Sequence, residues 1–298
     1  ATARAAKLAI DPAVRLLFFA GKGGVGKTSA ASSVALQLAA RGRRIALVSV
    51  DPAHSVLDVF PEGSPVPSLR VETIDTRAKW RRLRDRLGDE IERAVSSLAA
   101  PNISISHDSE VLRELLEIAP PGADEIFAIM RLAELLDDAD TDLVVVDTAP
   151  TGHFLRLLDL PRTAGAWARE LMRLLLRYKE LVPPGSLAEE LLDASRAMRR
   201  IDEALRSEAA AAVLVTRAEP VVAVETARLA STLGERGLRV AATIVNALTP
   251  ESACACDASR RVSEIEIARS MGGAAVLVDR AADPPIRPDS LRLLIPLE

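Results

Sequence analysis

Residues 21–28 read Gly-Lys-Gly-Gly-Val-Gly-Lys-Thr, which packs four glycines, two lysines and a hydroxyl into eight positions. Gly21, Gly26, Lys27 and Thr28 satisfy the spacing G-x-x-x-x-G-K-[ST]. Glycines so spaced let successive backbone N–H groups turn inward and wrap phosphate oxygens, with Gly23, Gly24 and Val25 forming the middle of the turn. Lys27 adds a point charge against the terminal phosphates, and Thr28 offers its hydroxyl to Mg²⁺, with Ser29 beside it. The helix expected to follow aims its positive N-terminus at the same anion. Lys22 stands outside the minimal pattern. It is either a solvated surface charge or a group that reaches a nucleotide held by a neighbouring subunit. There it would offset charge developing in phosphoryl transfer.

Two carboxylates sit where such a loop could use them. Asp51 ends the apolar run RIALVSVD, and Asp147 ends DLVVVD. A carboxylate at a strand end beside bound phosphates can orient an attacking water or join the Mg²⁺ shell; the alternative is a cap on the next helix. Asn246 ends another run, RVAATIVN, as a polar contact for a ligand or as a turn former. Gly152 is a candidate sensor of the terminal phosphate through its backbone N–H. The three histidines, His54, His107 and His153, have no metal-ligand spacing, and His54 and His153 read as packing or hydrogen-bonding residues. Cys254 and Cys256 are the only cysteines. They are inert or redox-active thiols, or two thiolates from each of two subunits that complete a tetrahedral S₄ zinc site.

The elements that must hold these residues are legible as short apolar runs. RLLFFAG (15–21) leads into the glycine-rich loop, and RIALVSVD (44–51), RVETID (70–75), DLVVVDTAP (142–150), AAVLVTRAE (211–219), RVAATIVNAL (239–248) and AAVLVDR (274–280) follow. Continuous apolar runs separated by helical stretches predict a doubly wound, mostly parallel sheet covered on both faces, with ligands at the carboxyl ends of the strands. Two stretches break the alternation with amphipathic helical spacing. They predict an inserted α-helical subdomain over 79–138 and 160–208, leaving 1–78, 139–159 and 209–298 as the sheet domain. Within the insert, Met130, Met172 and Met198, with Leu171, Leu174, Leu175, Leu176, Ile126, Phe127 and Ile129, form either a core or an apolar groove.

The 298 residues are ample for a buried core, and aromatics at 3% make that core aliphatic. A net charge of -4 without a long basic run argues against a nucleic-acid face. No apolar run is long enough for stable membrane insertion, and the tail PDSLRLLIPLE lacks a basic amphipathic membrane helix. The expectation is a cytoplasmic protein.

The motifs together resemble a known family. KGGVGKT resembles the deviant Walker A signature of the MinD, ParA and nitrogenase iron-protein superclass. DPAHSVLDVF (51–60) and DTAPTGHFLRLLDLP (147–161) resemble the switch I and switch II segments of the ArsA family. That family comprises arsenite-pump ATPases and ATPases that target tail-anchored membrane proteins. PPGADE (120–125) resembles its P-G-x-D-E segment, and LVTRAEPVVAVETARL and TIVNAL resemble later ones, over roughly residues 15–280. The resemblance implies a P-loop NTPase that hydrolyses Mg²⁺-ATP as a homodimer across its nucleotide sites. It implies Lys22 acting across the dimer, Asp51 on the attacking water and the metal, Asp147 on Mg²⁺ and Asn246 on the adenine edge. Some members carry a zinc-binding C-x-x-C where this chain has C-x-C. The implied partner is an apolar client, as in membrane-protein targeting, or a membrane anion pump. A nucleotide-dependent switch or scaffold of the MinD/ParA type is the remaining reading. The pump members' three-cysteine metalloid site needs more cysteines than the two here.

Overall fold

The apolar runs all become strands, and all of them join one sheet. In a computed structural model the strands are β1 (Leu16–Ala20), β2 (Ile45–Ser49), β3 (Leu69–Thr73), β4 (Leu143–Asp147), β5 (Ala210–Arg217), β6 (Arg239–Leu248) and β7 (Ala275–Asp279). The structure describes residues 6–51, 55–61, 64, 66–74, 79, 81, 82, 85, 123–163, 186–252, 254–271, 275–282, 287–292 and 294–298. His54, His107, Leu171, Met172, Leu174, Leu175 and Leu176 lie outside the described residues.

The strand order is β3-β2-β4-β1-β5-β6-β7, and every neighbouring pair is parallel. The sheet is therefore wholly rather than mostly parallel. β1, β2 and β4 are buried at all five positions, which explains why their sequences do not alternate. Parallel neighbours need long crossovers, and helices supply them. Those described are α1 (Lys27–Ala40), α2 (Ser55–Val59), α3 (Ala123–Asp137), α4 (residues 151–163), α5 (Ser186–Leu205), α6 (Pro220–Glu235), α7 (Ala255–Ser270) and α8 (Pro288–Leu291).

α1 is rich in Ala and Ser because it is buried almost all round, and small side chains let it lie close to the sheet. Ser33 Oγ donates to Leu291 O at 2.6 Å and Gln37 Nε2 to Ile295 O at 2.8 Å, tying the end of the chain to its outer side. Phe18 of β1 stacks on Phe154 of α4 with ring centroids 5.3 Å apart. Such a pair contributes about 0.5–1.5 kcal/mol beyond its buried area. It anchors the start of α4 beside the central strand.

The chain divides into two compact units. One comprises Ala1–Thr73, Leu135–Leu158 and Glu203–Glu298, and it holds the sheet. The other comprises Ile74–Glu134 and Asp159–Asp202. Its described parts are helical. Phe127, Ile129 and Met198 are buried, so these three belong to a core, while Ile126 and Met130 are half-buried.

Candidate functional site

β1 delivers the glycine-rich loop to the middle of the sheet's carboxyl edge. Gly21 comes directly after the strand, where a Cβ would stand 2.1 Å from the carbonyl oxygen of Val215 on β5. Only glycine lets the chain leave β1 that close to its neighbour. Gly26, with φ 97°, caps α1; a Cβ there would stand 2.3 Å from Asn246 Nδ2. Between them Val25 is buried while Lys22, Gly23 and Gly24 are exposed. Thr28 and Ser29 lie half-buried in the first turn of α1.

Lys27 is buried at 7% exposure, and its Nζ donates to Lys22 O at 3.2 Å. Burial lowers its pKa, against the pull of Asp147 and then Asp51. Asp147 closes β4 beside it. Thr28 Oγ1 donates to Asp147 Oδ2 at 2.8 Å, while Asp147 Oδ1 is buried without a hydrogen-bond partner. Burial pushes the Asp147 carboxyl up to about 6, opposed by the Thr28 hydrogen bond and Lys27 and reinforced by Asp51. Asp51 is half-buried just past β2, its N–H donating to Ser49 Oγ at 3.3 Å. Val50 N donates to Asp147 O at 3.1 Å and so joins the strand ends carrying the two acids, and Thr148 Oγ1 donates to Phe19 O at 2.7 Å and joins β4 to β1.

Lys27, Thr28, Asp51 and Asp147 thus converge at the ends of β1, β2 and β4. The hydroxyl and two carboxylates are hard oxygen donors of the kind Mg²⁺ takes. Asp147 Oδ1 is a buried carboxylate oxygen without a hydrogen-bond partner, so the residues present fit such an ion.

Other predicted residues are distributed around this centre. Asn246, near the end of β6, donates through Nδ2 to Val25 O at 2.9 Å. Gly152 is exposed in the first turn of α4. Lys22 Nζ forms an ion pair with Glu225 Oε2 of α6 at 3.0 Å, both side chains being nearly half exposed. Cys254 and Cys256 are exposed at the start of α7, away from the loop in sequence. The backbone N–H groups of Asp257 and Cys256 lower the Cys254 thiol's pKa. Among the described residues no group of three or more His, Cys, Asp or Glu could hold a metal, and no helix is long and apolar enough to cross a membrane.

Sequence reasoning missed Glu225, Thr249 and Glu264. Thr249 N–H and Oγ1 donate to the buried Glu264 carboxylate at 2.7 and 3.0 Å. A carboxylate amid the charged surface residues of α7 carries no local signal of this. Burial pushes Glu264 up, but the Thr249 and Arg260 hydrogen bonds outweigh it and its pKa is lowered.

A parallel sheet with a phosphate loop on its central strand and acids closing nearby strands defines a P-loop nucleotide-binding protein. Residues 14–270 match the anion-transporting ATPase family, ArsA. The chain belongs to that family and is an ATPase. It is 33% identical over 257 residues to a putative arsenical pump-driving ATPase of Aquifex aeolicus, covering 80% of this chain and 82% of that protein. It is 32% identical to the arsenical pump-driving ATPase of Escherichia coli, over 81% of this chain but 40% of that protein. With ATPase GET3B of Arabidopsis thaliana the identity is 30%, over 79% of this chain and 64% of that protein.

Proposed function

We infer that the chain hydrolyses Mg²⁺-ATP as a homodimer and uses the nucleotide cycle to open and close a helical subdomain around an apolar client. The observation that carries the catalytic part is the Thr28–Asp147 hydrogen bond beside an unpartnered Asp147 Oδ1, with Lys27 and Asp51 in electrostatic reach. In this reading the loop N–H groups and Lys27 hold the phosphates, and Thr28, Asp147 and Asp51 hold Mg²⁺. Bound there, the ion supplies charge neutralisation on the phosphate oxygens. Asp51 orients the attacking water, a task of positioning. Gly152 senses the terminal phosphate, Asn246 offers its amide to the base, and Lys22 serves the partner subunit's nucleotide.

The second reading is an ATPase that energises an anion pump. The names of the A. aeolicus and E. coli relatives favour it. The chain's two cysteines, spaced C-x-C, weigh against a metalloid-activated site of three thiols.

One experiment separates the two. The Asp51→Asn full chain is purified with ATP, its bound peptides are identified by mass spectrometry, and wild-type turnover is measured with and without arsenite. The client reading expects retained ATP, turnover reduced by about 100-fold or more, apolar peptides in the trap and no arsenite response. Arsenite stimulation with no captured peptide selects the pump.

A further inference from the structure

The contact between Asn246 and the phosphate loop has a geometric consequence. A loop that aims its N–H groups inward at phosphate must aim its carbonyls outward. Val25 C=O and Gly26 N–H belong to one trans peptide plane, so they point in opposite directions. Asn246 Nδ2 holds Val25 O at 2.9 Å on the outer side. The Gly26 N–H is thereby aimed the other way. The same amide nitrogen fills the space that a Cβ on Gly26 would need, 2.3 Å from its ideal position. Gly26 and Asn246 are therefore shaped to each other, although 220 positions apart.

We propose that Asn246 is a positioning residue for the phosphate loop, and that the buried Thr249–Glu264 pair clamps the strand end that carries it. Ala247, the next residue, has φ 60° and is the one non-glycine residue with positive φ among those described. An L side chain adopts that region only where its surroundings over-determine it. The β6–β7 ladder shifts register between Val245 and Leu248 to accommodate it. Downstream, Thr249 donates twice to Glu264, and Arg261 donates to Thr249 O while pairing with Asp279 Oδ1 at 2.5 Å. Arg280 N–H binds Leu248 O at 2.8 Å. The twist at Ala247 is thus held by buried, charge-assisted bonds on one side and by the Asn246–Val25 contact on the other. This role is separate from any contact of Asn246 with a base, and it rests on the loop binding phosphate.

The test uses a ligand with phosphates and no base. ATP and tripolyphosphate, each with Mg²⁺, are titrated calorimetrically into the wild-type full chain and into Asn246→Ala, Asn246→Asp, Glu264→Gln and the double variant Glu264→Gln/Ala247→Gly. Melting curves in the same buffer confirm folding. Asn246→Ala weakens both ligands by the same factor, about tenfold, which is one hydrogen bond's worth. Asn246→Asp keeps the side chain's size but sets a carboxylate oxygen against Val25 O, and loses at least as much for both. Glu264→Gln shows a smaller loss equal for the two ligands. Adding Ala247→Gly recovers part of it, because glycine holds positive φ without the clamp. A loss for ATP with tripolyphosphate unchanged overturns the proposal, since Asn246 then acts on the base alone. Unchanged binding of both ligands in folded Asn246→Asp overturns it too. A wild-type chain that binds neither ligand sinks the phosphate-site reading itself, an outcome distinct from variants that match a binding wild type.

Discussion

The ammonium of Lys27 rests on the carbonyl oxygen of Lys22, 3.2 Å away, so the loop's two lysines are joined through its own backbone. Their side chains nonetheless face different surroundings. Lys27 is buried among the site's carboxylates, whereas Lys22 reaches out to Glu225. The two lysines therefore have separable phenotypes. Lys27→Ala abolishes ATP binding. Lys22→Ala leaves ATP affinity within about threefold and cuts turnover by roughly 1000-fold, the scale of a lost charge-stabilising finger. Equilibrium binding paired with steady-state hydrolysis checks both, and unchanged turnover in Lys22→Ala leaves that residue as a surface charge.

Glu225 competes for the ammonium that Lys22 would lend to a partner. The pair is nearly half exposed, so screening holds its strength to about 1 kcal/mol or less. Glu225→Gln is expected to raise turnover, by no more than about fivefold. The rise should vanish in a Lys22→Ala background and shrink in 0.5 M salt, as surface electrostatics do. A tenfold fall in turnover would instead put Glu225 in the chemistry.

The sheet was legible because burial on both faces removes alternation, so each strand reads as a local run such as LLFFA or LVVVD. The run DLVVVDTAP extends to Pro150 in sequence, yet the strand stops at Asp147. Just beyond it the N–H and the hydroxyl of Thr148 both donate to Phe19 O, at 3.4 and 2.7 Å. The phosphate loop was legible because its constraint is local. Glu225 was not, because it meets Lys22 across 203 positions, and the Thr249–Glu264 pair was not, because a carboxylate on a charged helix does not show in sequence that it folds back on the preceding strand's end. Asn246 was found, but its contact with Val25 O joins residues that only the strand order brings together.

The loop's glycines differ in what replaces them. Gly21→Ala drives a methyl into Val215 O, a backbone atom that cannot swing aside, whereas a Cβ on Gly23 meets nothing within 4 Å. Thermal melting of the nucleotide-free proteins should separate them. Gly21→Ala loses on the order of 2–4 kcal/mol, as backbone strain or overpacking costs, while Gly23→Ala stays within about 0.5 kcal/mol of wild type. Equal melting of the two variants would mean that β1 and β5 part easily at Gly21.

The opposite edge of the sheet supplies a case where stability and turnover come apart. Asp142 accepts from Arg44 N at 2.8 Å and from Arg44 Nη2 at 2.5 Å, tying the start of β4 to that of β2. These Arg44 hydrogen bonds lower its carboxyl from 3.8 to about 2. A depressed acid contributes stability that is fully present above its unfolded value and is lost as pH falls through the folded one. The contribution is thus complete above pH 4 and disappears between 3.8 and about 2, Arg44 staying charged throughout. Asp142 is partly exposed, so solvent limits the gain to about 1 kcal/mol. Asp142→Asn is expected to unfold at lower denaturant than wild type at pH 7, with the two curves converging as the pH is taken towards 2. Its kcat at pH 7 stays at the wild-type value, since the carboxyl ends of β1, β2 and β4 are untouched. A pH-independent gap between the curves would mean that Asp142 acts through packing rather than charge.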